Sequence, residues 1–346
     1  MKIKVLLFSF LFLLLFTPTT DAFTNLQDLG TLGGNDSSAV AISDNGSIAG
    51  WASDISGQQI GVLWKGGSKS MLGNLGACCT YPSSINDNDQ IVGVSAVSSG
   101  INHAFLWENN TMTDLGTLGG TYSQANQINN KGQIVGVAQN ASGEWHGFLW
   151  ENGKMTSFDL YGGTTSNAVA INDLGQVVIM TNGGGRALLW QNGETTDLGT
   201  LGGCCTFPKA INNNGQIVGM SATTLHDPNG QVNTVYHAFM WQNGKMQDLG
   251  NPGSGVSSYA TAINNKGEVT LISGDPDIQS QGQSFIVNNG NAFPIGTLGG
   301  NFSFPSGINN SGKIVGWSYL GKNDSDGDPI YHGFLLSTQK QEGASH

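Results

Sequence analysis

Arginine is nearly missing from this chain: Arg186 is the only one among 346 residues. Clamps on phosphate or carboxylate built from several arginines are therefore excluded, because only the guanidinium offers that rigid fork of donors. Charge of either sign is scarce. Asp, Glu, Lys and Arg make up 11% of the sequence, against roughly 25% in an ordinary soluble domain. The 13 basic residues face 24 acidic ones, for a net charge of −11. Nucleic acid is a poor partner for such a chain, which lacks the clustered Lys and Arg needed to displace counterions. Also lacking are any window with a sustained 3.6-residue period and any apolar run long enough to cross a bilayer as a helix. What remains is 38% hydrophobic residues and 52 glycines, enough apolar material for a core and much turn-forming material between its pieces.

The first 22 residues read as an address. Lys2 and Lys4 precede an apolar run from Val5 to Phe16, and a small residue, Ala22, stands at the expected cut. That layout is a secretory signal peptide, with the exported chain starting at Phe23. The expected organisation is then signal 1–22, one domain 23–337 and a polar tail 338–346.

Self-similarity is strong and sets the fold class. A turn residue preceding an apolar strand recurs at Gly46, Asp89, Gly132, Gly175, Gly215, Gly267 and Gly312, in steps of 43, 43, 43, 40, 52 and 45 residues. Each unit holds two hairpins. One runs from Ala-x-Ala-Ile through a turn such as Asn129–Gly132 into Gln-Ile-Val-Gly; the other runs from Phe-Leu-Trp through Glu151–Gly153 into Lys-Met. Asn-Gly between apolar runs signals a tight hairpin, because both residues tolerate positive φ. Four strands per unit of this length describe a propeller blade. The expected fold is all-β, a seven-bladed β-propeller with four antiparallel strands per blade. The seventh unit stops after its third strand, and the segment Phe23–Gly30, ending Asp-Leu-Gly, supplies the missing fourth. This predicts a ring closed by the N-terminal strand, which removes an exposed edge.

The strings His-Ala-Phe-Leu-Trp (from His103 to Trp107), Asp-Leu-Gly-Thr-Leu-Gly-Gly and Ile-Asn-Asn-x-Gly-Gln-Ile-Val-Gly make the chain resemble the HAF family of extracellular repeat proteins. The resemblance runs over essentially all of 23–337 and weakens in units 4 and 6, where Arg186–Trp190 and Gln283–Val287 replace the signature. It implies export from a bacterial cell and a repeated fold. The family name carries no activity to transfer.

Candidate site residues follow from the departures between repeats. Connections from second to third strand and from blade to blade vary in length, and variable loops on a rigid scaffold are where binding concentrates. The longest are 223–236, 274–277 and 321–330. The position four before each inner-strand Ile forms a ring that includes Tyr81, Phe207, Tyr259 and Phe304. These rings either bind sugar or peptide faces or simply pack between blades. Cys78-Cys79 and Cys204-Cys205 occupy the same blade-to-blade loop of units 2 and 5. Nearly opposite on the ring and destined for oxidising surroundings, each pair is expected to form a vicinal disulfide. Asp324, Asp326 and Asp328 around Gly327 match half of a calcium loop without its bidentate Glu, so calcium or a solvated turn are both open. His103, His146, His237 and His332 share one repeat position, too widely spread to bind one ion, and are expected to make hydrogen bonds within their blades.

Catalytic motifs are missing, but propeller enzymes draw residues from several blades. His226, Asp227 and Lys209 are the best raw material for one. The function expected is a monomeric extracellular binding module for a glycan or a protein, with a lyase or hydrolase as the alternative. Calcium is the only cofactor suggested.

Overall fold

The computed structural model describes residues 23, 25–158, 165–181, 185–226, 234–274 and 282–337. Among them are 28 strands and no helix, hence no helix able to cross a membrane. The strands form seven four-stranded antiparallel sheets. Six take their strands consecutively from the chain: 33–71, 76–114, 119–157, 166–197, 202–250 and 258–294. The seventh combines three strands of 303–337 with Leu26–Asp28, which pairs with the last strand through Leu26↔Leu336, Gln27↔Leu335 and Asp28↔Phe334. The expected closure is therefore present.

Local chemistry explains the hairpins. The third-to-fourth-strand turns place Asn152, Asn192, Asn243 and Asn289 at φ between 49° and 52°, and Gly153, Gly193, Gly244 and Gly290 at φ between 76° and 89°. Positive φ at both central residues is the type I′ geometry that matches the twist of the flanking strands. Blade 2 reaches it with Asn109 and Asn110 alone, at 50° and 61°.

The core is not one mass but seven layers, one between each pair of neighbouring sheets. Between blades 2 and 3, for instance, Ala104, Leu106 and Leu115 meet Ile128, Ile134 and Phe148. Between blades 7 and 1, Val315 meets Ala39, Val62 and Trp64, with Leu29 packed alongside. A sheet covered on both faces needs apolar residues at successive positions, which is why Ile-Val-Gly runs replace simple alternation. Small buried hydroxyls tie the layers together: Ala104 N–H donates to Ser123 Oγ at 2.8 Å and Ala238 N–H to Ser258 Oγ at 2.9 Å, each across a blade boundary.

Two rings of side-chain amides and carboxylates run around the lower mouth of the central channel. Each Ile-Asn-Asx turn contributes one member to each ring. In the inner ring the Nδ2 of Asn86, Asn129, Asn172, Asn212, Asn264 and Asn309 donates to the backbone carbonyl at the equivalent position of the next blade, at 2.8–3.0 Å. In the second ring, seven backbone N–H groups donate in turn to the Oδ1 of Asp87, Asn130, Asp173, Asn213, Asn265, Asn310 and Asp44, at 2.7–2.9 Å. The chain of bonds returns to its start. It fastens blade to blade at the narrow end, where backbone groups would otherwise be left unpaired.

Candidate functional site

Every inner strand carries a register shift at the same place. The skipped residues are Val40, Ser83, Asn126, Val169, Lys209, Thr261 and Ser306. A β-bulge bends its strand and re-aims one side chain. Here all seven bulge residues line one cavity, a central channel of about 550 Å³. In three blades the bulge residue follows a proline, Pro82, Pro208 or Pro305. Proline cannot donate to a ladder, so the edge strand beside a bulge is a place that tolerates it.

Lys209 is the only charged residue in the channel wall. It has no hydrogen bond or ion pair among the described residues, and burial pushes its amine down from the usual lysine range. The side chain is open to water, yet it opens onto the lumen rather than onto bulk solvent. The surrounding wall therefore still desolvates the ammonium. Polar amides face the same space. Asn126 Nδ2 donates to Asn167 Oδ1 at 2.7 Å and to the Ala168 carbonyl at 2.8 Å, and the Tyr122 hydroxyl donates to Gln124 Oε1 at 3.1 Å.

Above the channel the aromatic residues form a continuous group across blades 6, 7 and 1. Phe304 stacks on Trp317 with centroids 5.8 Å apart and planes 5° from parallel, and meets Tyr259 at 6.3 Å. Trp317 contacts Tyr319 at 5.4 Å and Tyr331 at 5.2 Å, and Tyr331 meets Trp51 of blade 1 at 6.0 Å. These rings are half-buried, so each keeps part of a face or edge accessible. Burial pushes the phenols of Tyr259 and Tyr331 up to about 12, and both stay neutral at ordinary pH. Asp36 accepts from Tyr331 N–H at 3.2 Å; burial raises its carboxyl, and the charges of Asp324 and Asp328 add to the effect.

The structure brings some expected residues together and separates others. Phe304 and Lys209 share the channel wall, and Tyr259 reaches Phe304. Tyr81 is 38% exposed at the rim of blade 2, while Phe207 packs edge-on against Tyr236 at 5.9 Å. His226 ends a long strand and pairs through its backbone with Thr234; Asp227 lies outside the described residues. The described ends of two expected loops are strand, Ile217–His226 with Thr234–Gln242 and Lys313–Asn323 with Pro329–Ser337, while 227–233 and 275–277 lie outside the described residues.

Two expectations need correcting. The cysteine pairs lie not in blade-to-blade loops but near the start of the inner strands Gly76–Ile85 and Gly202–Ile211. The sulfurs of Cys204 and Cys205 are within bonding distance, whereas Cys78 and Cys79 are thiols, with Cys79 at φ 69°. The second vicinal disulfide is therefore not present. For Asp324, Asp326 and Asp328, where calcium and a solvated turn are both open from the sequence, the structure shows the turn. Asp324 Oδ1 accepts from the backbone N–H of Asp326 and of Asp328, both at 2.9 Å. Asp54 and Asn140 cap the equivalent turns of blades 1 and 3 in the same way, at 2.8–3.0 Å. The aspartate is a turn residue, and among the described residues no group of three or more His, Cys, Asp or Glu is placed to hold a metal ion.

The repeated histidines do bond within their blades. His103 Nδ1 meets Asp114 at 2.8 Å, His237 meets Asp248 at 2.9 Å, and His332 meets Asp28 of the closing strand at 2.8 Å. Arg186 takes the same role toward Asp197 at 2.7 Å. In blade 3 the aspartate is replaced by Ser157, and His146 turns instead to Asn140 Nδ2 at 3.1 Å. Such half-exposed pairs are worth about 0–1 kcal/mol. Replacing His103 and His237 with glutamine, as Gln283 stands in blade 6, should therefore leave the melting temperature within a few degrees of wild type. A collapse in thermal melting would show that the pairs carry more than their exposure allows.

Comparison with known proteins adds the fold and no more. No family model matches the chain, and no curated protein does. Solved structures do match. The β-propeller domain of the Trilobed protease from Pyrococcus furiosus superposes with a TM-score of 0.58 at 9% identity, over 90% of this chain and 98% of that one. The acylaminoacyl peptidase of Pyrococcus horikoshii gives 0.55 at 10% identity, over 90% of this chain and 54% of that one. A catalytically inactive virginiamycin B lyase from Staphylococcus aureus gives 0.50 at 12% identity, over 90% and 98%. This chain is a β-propeller. The Pyrococcus furiosus domain is described as having an open velcro topology; here Leu26–Asp28 closes the ring.

Proposed function

We propose that this propeller is a secreted, non-catalytic binding module that recognises an extracellular glycan or protein at its upper, aromatic-rimmed face. The observation that carries the reading is the group of half-buried rings Trp51, Tyr259, Phe304, Trp317, Tyr319 and Tyr331 beside the mouth of a polar channel. Aromatic faces give large contact area with little entropy loss, and neighbouring amides fix orientation. The apolar N-terminal stretch and the HAF-like repeats support export. One observation favours an enzyme instead: an unpaired, desolvated lysine such as Lys209 suits a base. It has no second acid or base in the channel wall.

The reading is tested on a broad glycan array and against extracellular protein extracts, using wild type, Trp51→Ala and Tyr331→Ala. Selective binding that weakens about tenfold or more in each variant is expected for ring contacts worth 1–2 kcal/mol. Binding indifferent to both substitutions would remove the aromatic face from the argument. Turnover of an array ligand would replace the binder with the lyase or hydrolase.

A further inference from the structure

The channel has a wall of unusual composition for an acidic protein. Of its lining groups a single one is charged, and that one is a cation without a partner. A lone ammonium in such a place is unfavourable unless something offsets its desolvation. Native structures normally answer with a carboxylate. Here the acidic side chains of the lower mouth, Asp44, Asp87 and Asp173, are engaged in the ring of turn residues there. Nothing in the described structure neutralises Lys209.

We infer that Lys209 is the counter-ion for a carboxylate brought in by the ligand, and that the channel takes the acidic sugar unit of a glycan, a uronate. The inference rests on the binding reading above and gives its ligand a charge. Three observations carry it. First, the bulge of blade 5 turns Lys209 out of the ladder and into the lumen, the position that Val40, Ser83, Asn126 and Thr261 fill without charge in other blades. Second, a single ammonium is a compact point charge suited to one carboxylate, while the chain offers no guanidinium here for a dianionic phosphate. Third, the remaining wall suits a sugar. Asn167 Nδ2 can donate to hydroxyl groups, the amide oxygens of Gln124, Asn126 and Asn167 can accept from them, and Phe304 contributes an apolar ring face. The cavity of about 550 Å³ also falls in the range of roughly 300–1,000 Å³ typical of small-ligand sites. Entry is from the upper mouth, past the aromatic group, because the turns that rim the lower mouth draw in around a cavity of only about 150 Å³.

The test compares methyl glucuronide and methyl galacturonide with their neutral counterparts, methyl glucoside and methyl galactoside, by titration calorimetry on the whole protein. Wild type should bind the uronides at least about tenfold more tightly, as expected of a charge-assisted hydrogen bond in a channel that is screened from bulk solvent. Lys209→Met should erase that preference and Lys209→Arg should keep part of it. Lys209→Met should also melt no lower than wild type, since it removes an unpaired charge, so a lost signal will not reflect unfolding. Equal affinity for charged and neutral sugars, or a preference that survives Lys209→Met, overturns the inference. So does Lys209-dependent binding of dipeptides bearing a free carboxyl end in place of uronides. Neutral glycans that bind the rim and depend on Tyr331 would leave the binding reading standing while the channel assignment fell. No binding of any glycan at all would remove both.

Discussion

Removal of residues 23–30 is expected to lower stability by about 3–5 kcal/mol, the sum of several partly buried apolar side chains and a lost strand's hydrogen bonds. The segment touches three blades. Phe23 N–H donates to the Pro294 carbonyl at 3.0 Å and its own carbonyl accepts from Gly296 N–H at 2.9 Å, both in or beside blade 6. Leu26–Asp28 completes blade 7. Leu29 N–H donates to the Gly333 carbonyl at 2.9 Å, its carbonyl accepts from Trp64 Nε1 of blade 1 at 3.3 Å, and its side chain packs in the layer between blades 7 and 1. Truncation therefore unfastens the ring at its seam and exposes the edge of Pro329–Ser337, a template for association with other chains. Thermal melting should fall by roughly 5–15 °C, scaled from shifts of 2–4 °C per kcal/mol in domains of somewhat smaller size. Amide exchange should accelerate first in 313–337, while strands on the far side of the ring, such as Ile134–Asn140, respond least. A truncated protein that melts like wild type, with Leu335 and Leu336 still protected, would mean that the ring needs no fastening.

The same segment shows how much of the molecule the sequence displays. Blade number, strand order and closure all rest on repetition. A motif that returns at 43-residue steps with Asn-Gly turns between apolar runs leaves few alternatives, and the half-unit at one end has its complement at the other. The within-blade role of the histidines was legible for the same reason, since His103, His237 and His332 share a repeat position and each has its Asp at a fixed offset or across the closure. The site was far less legible. The bulge position is filled by Val40, Ser83, Asn126, Val169, Lys209, Thr261 and Ser306, with no common chemistry to reveal it. Only its register, a skipped residue in a strand pair, defines it, and register is a property of two strands rather than of one. The aromatic group was half seen: Tyr259 and Phe304 belong to the expected ring, but Trp51, Trp317, Tyr319 and Tyr331 sit on second and third strands of two blades and obey no repeat. Trp317-Ser318-Tyr319 did carry a signal, because alternate residues of a strand point to one face. The choice between calcium and a solvated turn at Asp324–Asp328 was legible too, because Asp54–Gln58 and Asn140–Glu144 are its equivalents in other blades and make the same turn.

The Ile-Asn-Asx turns bind blade to blade as well as strand to strand, and substitution there should produce the second large effect. Asn172 is 3% exposed. Its Oδ1 accepts from Leu174 N–H at 3.1 Å and Gln176 N–H at 3.0 Å, and its Nδ2 donates to Gln176 Oε1 at 2.7 Å and to the Asn212 carbonyl of the next blade at 2.9 Å. Asn172→Ala strips four partners at once, two of them backbone donors of the turn and one the carbonyl of a neighbouring blade. With unsatisfied buried groups at about 1–3 kcal/mol each, and water reaching some of them through the channel mouth, a loss of about 3–5 kcal/mol is expected. The protein itself supplies the control. Blade 1 has Ser43 at this position, and Asn45 takes over part of the bonding within the turn: Ser43 Oγ donates to Asn45 Oδ1 at 2.7 Å and Asn45 Oδ1 also accepts from Ser47 N–H at 2.9 Å, while Asn45 Nδ2 donates to the Asp87 carbonyl of blade 2 at 2.9 Å, as Asn88 and Asn214 do toward their next blades. Transplanting that solution into blade 4 requires Asn172→Ser together with Leu174→Asn, and Leu174 is 60% exposed and gives up little packing. The double variant should recover more than half of what Asn172→Ala loses, whereas Asn172→Ser alone should not. Urea unfolding of the three variants measures the differences directly, with an unchanged slope confirming that the folded and unfolded states are the same. A double variant no better than Asn172→Ser would mean that the turn's own geometry, not the bond to the next blade, sets the stability of the lower ring. Asn172→Ala within 1 kcal/mol of wild type, about the worth of one ordinary hydrogen bond, would mean that water in the channel mouth replaces the asparagine and that the ring of amides orders the blades without holding them.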